Sequence, residues 1–205
     1  MKPTLRKRMN KKWSTHGAPN LQWLGMAELC LFLDAFWAEE GFVDRRALEI
    51  GSHMGEGLSM LAASGIFSKI DVIEPFAGEE PFNKEFDWDW SEVRLEWQRN
   101  TKWFDDMITL HRGYSYDLHE NFKDRVYDFI YIDADHSYEG VSRDIEQYLP
   151  KIKQNGIIAG HDWHEVWPGV QKAVREQLGE PDWVFKDDSW IKVVDARIRP
   201  ELKTN

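Results

Sequence analysis

Short apolar runs alternate with amphipathic stretches along most of the chain, and this alternation predicts an α/β fold. Runs of strand-like length and composition occur at 46–50, 70–76, 107–113, 127–134 and 155–163. Helix-like stretches lie at 27–42, 57–64, 91–104, 138–152 and 169–179. Strands that alternate with helices favour a mostly parallel sheet covered by helices on both faces. The segments "DWVFKDD" and "WIKVVD" then predict a closing hairpin.

Residues with known preferences for helix ends mark several boundaries. Ser91 is a candidate N-cap for the helix at 91–104, although Arg94 stands where a capping box would place Glu. Pro150 is expected to end the helix that begins near 138, and Gly179 to end the last helix.

The length and composition indicate one domain with a full hydrophobic core. The chain has 205 residues, of which 42% are hydrophobic, and this suits a single domain. We expect a basic arm at 1–20, the domain over 21–197 with an acidic and aromatic insertion at 77–92, and a tail at 198–205.

The same composition predicts a cytoplasmic protein that does not enter a membrane. The apolar segment 27–42 is interrupted by four acidic residues and is shorter than the ~20 residues of a transmembrane helix. The basic N-terminus lacks the apolar segment of a signal peptide. Cys30 is the single cysteine, which agrees with a reducing compartment.

The net charge narrows the choice of partners. It is −10, although residues 1–12 contain six basic residues and no acidic ones. A body this acidic repels nucleic acid, so we do not expect nucleic acid as the main partner. Whether the chain forms a homo-oligomer stays open at this point.

A glycine-containing loop follows the first predicted strand. In "LEIGSHMGEG" the glycines are spaced G-x-x-x-G-x-G, which differs from the G-x-G-x-x-G of dinucleotide-binding proteins. The second strand ends in Glu74, where a carboxylate can accept hydrogen bonds from ribose hydroxyls. The alternative, that these glycines serve only turns, becomes weaker because Glu74 stands in the matching register.

The fourth strand ends abruptly in polar residues. The run "YDFIYI" is followed by "DADH", which contains Asp133, Asp135 and His136. Ligands of open α/β sheets bind at the carboxyl ends of the strands. We therefore expect a ligand at this edge that carboxylates and an imidazole can bind.

These stretches together resemble the class I S-adenosylmethionine-dependent methyltransferases over about residues 45–195. The residues that carry the resemblance are "LEIGSHMGEG", "DVIEPF", "DFIYIDADHSYEGVSRDIEQYLPKIKQNGIIAGHDW" and "GVQKAV". The nearer branch contains macrolide-sugar O-methyltransferases and cephalosporin-hydroxylase-like proteins. The resemblance implies a Rossmann-like three-layer sandwich with a seven-stranded, mostly parallel sheet in the order 3-2-1-4-5-7-6 and strand seven antiparallel.

The resemblance also implies the cofactors and the residues that hold them. S-adenosylmethionine and Mg²⁺ or another divalent cation are expected. The implied cofactor-binding residues are Glu49, Gly51, Ser52, His53, Gly55, Gly57, Glu74, Pro75, Gly113, Tyr114, Ser115 and Asp133. Asp133, His161 and Asp162 match the positions of metal ligands, and His136 matches the position of the catalytic base. His161 stands where relatives more often have a carboxylate or Asn.

Elementary chemistry agrees with this assignment. A divalent cation lowers the pKa of bound water from 15.7 to about 7 and should act on a bound hydroxyl in the same direction. Hard cations such as Mg²⁺ prefer carboxylate oxygens, and histidine, with a reference pKa of about 6.5, is suited to accept a proton near neutrality.

Structural roles remain open for the same residues. Asp135 and Asp162 could cap helices, His136 could be a structural histidine, and His161 could orient its loop. The first hypothesis for the function is a metal-assisted O-methyltransferase for a small hydroxylated acceptor such as a sugar. The alternatives are a metal-independent methyltransferase that uses His136 as the base and a non-catalytic nucleotide-binding relative.

Overall fold

A computed structural model describes residues 24–40, 44–77 and 89–195, so most of the predicted insertion at 77–92, the basic arm and the tail lie outside the described residues. The helices are α1 (Leu24–Phe36), α2 (Glu56–Ser64), α3 (Trp90–Thr101), α4 (Ser115–Leu118), α5 (Tyr138–Tyr148) and α6 (Pro168–Leu178). The strands are β1 (Arg46–Ile50), β2 (Lys69–Ile73), β3 (Ile108–His111), β4 (Tyr127–Ile132), β5 (Ile152–Gly160), β6 (Trp183–Val184) and β7 (Trp190–Val193).

All seven strands form one sheet in the order β3-β2-β1-β4-β5-β7-β6. The pairs among β1 to β5 are parallel, whereas β7 runs antiparallel to both β5 and β6. The predicted strand order and the closing hairpin are therefore confirmed. The order places the carboxyl ends of β2, β1, β4 and β5 side by side at one edge.

Each face of the sheet is covered by its own hydrophobic core, which confirms the three-layer sandwich. On one face α1, α2 and α3 pack on residues such as Val72, Phe129 and Ala159. On the other face α5 and α6 pack on Leu48, Ile130 and Ile158. Because neighbouring strand residues point to opposite faces, the central strands must be apolar at nearly every position. Within the described ranges no helix is long and apolar enough to cross a membrane.

Several predicted boundaries are wrong. The N-cap of α3 is Asp89, whose side chain accepts hydrogen bonds from the backbone N–H groups of Ser91 and Glu92, so Ser91 lies inside the first turn. The fifth strand begins at Ile152 rather than 155, because Ile152 already pairs with Tyr127 ahead of an irregularity in the pairing of β4 with β5. The short helix α4 was not predicted.

Candidate active site

The glycine loop after β1 packs closely against the end of β4. Gly51 has φ +81°, and a Cβ atom at this position would lie 2.1 Å from the carbonyl oxygen of Asp133. The backbone N–H of Asp133 in turn donates to the carbonyl of Ile50 at 2.8 Å. Gly51 is thus required by the contact between the loop and β4. Gly55 likewise leaves room for the Trp97 side chain, which is 2.9 Å from its ideal Cβ position.

The carboxylate of Glu74 holds this loop in place. Its Oε2 accepts hydrogen bonds from the backbone N–H groups of Ser52 at 2.9 Å and His53 at 2.8 Å. Its Oε1 accepts from the N–H of Phe76 at 2.7 Å. A carboxylate offers about four acceptor positions, so roughly one remains for a hydroxyl of a bound ribose. The loop contacts of Glu74 were not foreseen from the sequence.

Glu49 is a buried acid beneath the loop. It is 2% exposed, and its Oε2 has no hydrogen-bond partner among the described residues. Burial raises the pKa of Glu49 to about 8; a hydrogen bond with Ser52 opposes this rise, and the charges of Asp133 and Glu74 add to it. A carboxyl group in this state favours a ligand that brings a positive charge to it.

The remaining predicted cofactor residues lie at the ends of β2 and β3. Pro75 follows Glu74, and its carbonyl accepts a long hydrogen bond from Arg112. Gly113 follows β3. The hydroxyl of Ser115 donates to Asp144 in α5, so this hydroxyl already has a partner within the protein. Tyr114 stacks on Tyr116 with ring centroids 5.3 Å apart.

Two aspartates and a histidine meet where β4 and β5 end. His136 Nε2 lies 3.0 Å from Asp162 Oδ2 and 3.4 Å from Asp133 Oδ1. One potential ligand atom from each residue lies within 4.8 Å of the others. We call this group the carboxylate–histidine cluster. Its three members were all predicted site residues, and two carboxylates this close together suit a hard divalent cation.

The two carboxylates strongly favour the charged form of His136. Burial by itself lowers the pKa of this histidine, but its hydrogen bonds and charge interactions with Asp133 and Asp162 raise it to about 10. For Asp162, burial raises the pKa and the two histidines hold it well below its usual range. At neutral pH His136 is therefore the positively charged partner of both carboxylates.

His161 contacts the cluster from outside. Its Nδ1 lies 3.2 Å from Asp162 Oδ1, and its Nε2 lies 4.0 Å from Asp187 Oδ2. Burial lowers and the neighbouring carboxylates raise the pKa of His161, to about 9. Asp162 itself has φ +61°, a conformation that a residue other than glycine adopts at some cost. The predicted ligand role of His161 stays a prediction.

Two tryptophan side chains contact the site at this edge and were not predicted from the sequence. Trp167 packs against His136 with ring centroids 4.8 Å apart, and the indole N–H of Trp97 donates to Ser52 Oγ. No motif marks either tryptophan. The cap of α5 is Ser137 rather than Asp135, because the Ser137 hydroxyl accepts from the backbone N–H of Gly140. The Asp135 carboxylate supports this cap by accepting from the N–H and hydroxyl of Ser137.

Comparison with known proteins places most of this region in a family. A family model described as "Methyltransferase domain" matches residues 48–163, from β1 to just beyond Asp162. No curated protein matches the chain.

Solved structures show the same fold at low sequence identity. Cofactor-bound Rv0187 from MTB is 17% identical with a TM-score of 0.59, over 93% of this chain and 89% of that one. An O-methyltransferase from Bacillus cereus in complex with SAH is 19% identical with a TM-score of 0.55, over 95% and 92%. CalS11, a TDP-rhamnose 3'-O-methyltransferase of calicheamicin biosynthesis, is 17% identical with a TM-score of 0.51, over 92% of each chain.

Proposed function

The matched model spans more than half of the 205 residues, so the chain belongs to the methyltransferase domain family. From this premise we propose that it methylates a hydroxyl oxygen of a small acceptor with S-adenosylmethionine as the donor. The observation that carries the proposal is the carboxylate–histidine cluster beside the glycine loop. The O-methyltransferase of Bacillus cereus and the sugar methyltransferase CalS11 share the fold and support the choice of oxygen and of a sugar-like acceptor.

The residues under the glycine loop fit a bound S-adenosylmethionine. Glu49 has a buried oxygen without a described partner, which suits the α-ammonium group of the donor. Glu74 retains about one acceptor position for a ribose hydroxyl. When bound, the donor supplies a sulfonium methyl group, whose S–C bond breaks as the new O–C bond forms, leaving S-adenosylhomocysteine and a methyl ether.

We assign the carboxylate–histidine cluster the role of removing the proton of the acceptor hydroxyl. That hydroxyl must lose its proton as the new bond forms, and we assign His136 as the group that takes it. Asp162 and Asp133 both contact Nε2 of the imidazole and so orient the ring. Trp167 packs on the ring of His136 and offers an apolar surface to the acceptor, as aromatic side chains often do in ligand sites.

A divalent cation fits the same cluster. Asp133 and Asp162 would hold it, and it would lower the pKa of an acceptor hydroxyl. The cation would compete with the proton of His136 for the two carboxylates. Although burial lowers the pKa of His136, Asp133 and Asp162 raise it, and a cation bound by these two carboxylates would oppose this effect and help His136 to act as the base. The close approach of the potential ligand atoms supports metal-assisted transfer over the metal-independent alternative.

The test combines calorimetry with a transfer assay. Titration with S-adenosylmethionine should show binding, and transfer of a labelled methyl group should be measured on nucleoside-diphosphate sugars and on a catechol, with MgCl₂ or with EDTA. We expect Mg²⁺-dependent transfer that EDTA abolishes while donor binding persists. Full transfer in EDTA would refute the metal assistance, and absence of donor binding would refute the function.

Asp133→Asn and Asp162→Asn give a second measure of the same proposal. Each replaces one carboxylate oxygen by an amide at nearly constant volume. Both variants should need more Mg²⁺ for half-maximal transfer and recover part of the rate when it is in excess. Asp135→Asn is the matched control, since its carboxylate serves the N-cap of α5.

A further inference from the structure

The turn between β6 and β7 contains a partly buried carboxylate that the proposed function does not use. The side chain of Asp187 is 10% exposed. Its Oδ1 accepts a hydrogen bond from the backbone N–H of Ser189 at 3.0 Å and closes the turn. Its Oδ2 is buried without a hydrogen-bond partner in the described part of the chain. An unpaired buried carboxylate oxygen is costly, so its position requires an explanation.

The unpaired oxygen is directed towards the active site. It lies 4.0 Å from His161 Nε2, and His161 Nδ1 lies 3.2 Å from Asp162 Oδ1. The other oxygen of Asp162 contacts His136, which also contacts Asp133. Carboxylates and imidazoles thus alternate through five residues that come from the ends of β4 and β5 and from the β6–β7 turn.

The same turn is joined to the β5 end by two further hydrogen bonds. The backbone N–H of Trp163 donates to the carbonyl of Asp188 at 2.9 Å, and the indole N–H of Trp190 donates to the carbonyl of His161 at 3.2 Å. These bonds flank Asp162, whose backbone has a positive φ. The turn therefore supports the loop that carries a central residue of the cluster.

We infer that Asp187 is a positioning residue of the active site: through His161 it orients Asp162, so that one carboxylate oxygen of Asp162 faces His136 and the reacting hydroxyl. This inference rests on the proposed function for its catalytic meaning. Its structural part, a coupling from Asp187 to His136, holds independently of any cation or acceptor. Groups that orient a metal ligand typically change metal affinity or activity by about 10–100-fold when they are replaced.

Asp187→Asn separates this role from closure of the turn. The asparagine keeps an oxygen for the N–H of Ser189 and places an amide where the oxygen faced His161. Asp188→Asn is the matched control in the same turn. Asp188 contributes its backbone carbonyl and has φ +65°, which asparagine tolerates.

The experiment compares the wild type and both variants in ¹⁵N-labelled protein at constant pH. The imidazole ¹⁵N signals of His161 and His136 should shift in Asp187→Asn and stay in place in Asp188→Asn. The dissociation constant for Mn²⁺, measured by electron paramagnetic resonance, should rise about 10–100-fold in Asp187→Asn only. All three proteins should give cooperative melting curves, which shows that both variants are folded.

Two outcomes would overturn the inference: unchanged His136 signals in a folded Asp187→Asn variant, or equal shifts in both variants. If the wild type binds no Mn²⁺, the metal part of the proposed function fails, and the imidazole signals still decide the role of Asp187.

Discussion

Replacement of Glu49 by glutamine should make the protein more stable and a weaker binder of the methyl donor. The carboxyl group is 2% exposed, and its pKa rises from 4.5 to about 8, mainly through burial. Between these two values the folded protein keeps the proton of Glu49 and the unfolded chain loses it. The contribution of Glu49 to the stability of the wild type therefore falls as the pH rises from about 4.5 to about 8, and this contribution is constant above that range.

The magnitude follows from the two pKa values. At about 1.36 kcal/mol per pH unit, the ionisation of Glu49 costs roughly 5 kcal/mol above pH 8 and roughly 3 kcal/mol at pH 7. Glutamine does not ionise, so Glu49→Gln should gain these amounts relative to the wild type. For a chain of this size a gain of about 3 kcal/mol corresponds to a melting temperature higher by roughly 6–12 °C.

Urea unfolding of both proteins at about pH 5, 7 and 8.5 measures this difference. The two curves should lie close together near pH 5, which serves as the internal control, and separate as the pH rises. Calorimetry should show at least tenfold weaker donor binding by the variant, because a charge-assisted hydrogen bond to the α-ammonium group is worth roughly 1.5–3 kcal/mol. A stability difference that does not change with pH would refute the reasoning on burial, and unchanged donor affinity would refute the assignment of Glu49.

Three further substitutions test the rest of the site. His136→Ala should bind the donor normally and turn over roughly 10²–10⁴-fold more slowly; loss of donor binding in calorimetry would make His136 structural. Glu74→Ala should weaken donor binding at least tenfold and lower the urea midpoint, because three backbone N–H groups lose their partner; equal affinity in a folded variant would remove Glu74 from the cofactor site. Gly51→Ala should unfold at a markedly lower urea concentration, because its methyl group would overlap the carbonyl of Asp133; a midpoint equal to that of the wild type would contradict the close packing of the loop.

The fold was predictable because its signals are local and repeated. Each central strand is a short apolar run, and each is separated from the next by an amphipathic helix. The strand order came from the resemblance, which rests on motifs at the ends of β1, β2, β4 and β5. Boundaries were less predictable: Asp89 and Ser91 are both good capping residues, and the chain geometry that selects Asp89 is not visible in the sequence.

The site was predictable where its residues directly follow strands. Asp133, His136 and Asp162 were named from such positions, and the structure brings them together. Asp187 and Trp167 were not found, because a turn aspartate and a loop tryptophan are common and only the packing of the β6–β7 turn and of α6 brings them to the site. The loop contacts of Glu74 depend on the backbone path of the loop, which the residue types alone do not determine.

The three hydrogen bonds that Glu74 accepts from backbone N–H groups preorganise the loop that we propose as the donor site. Fixing the backbone of one residue costs about 1–2 kcal/mol of conformational entropy, and for Ser52, His53 and Phe76 this cost is met when the protein folds. Binding therefore leaves more of its free energy available for discrimination among ligands. A backbone fixed in this way favours stiff analogues of the donor over flexible ones.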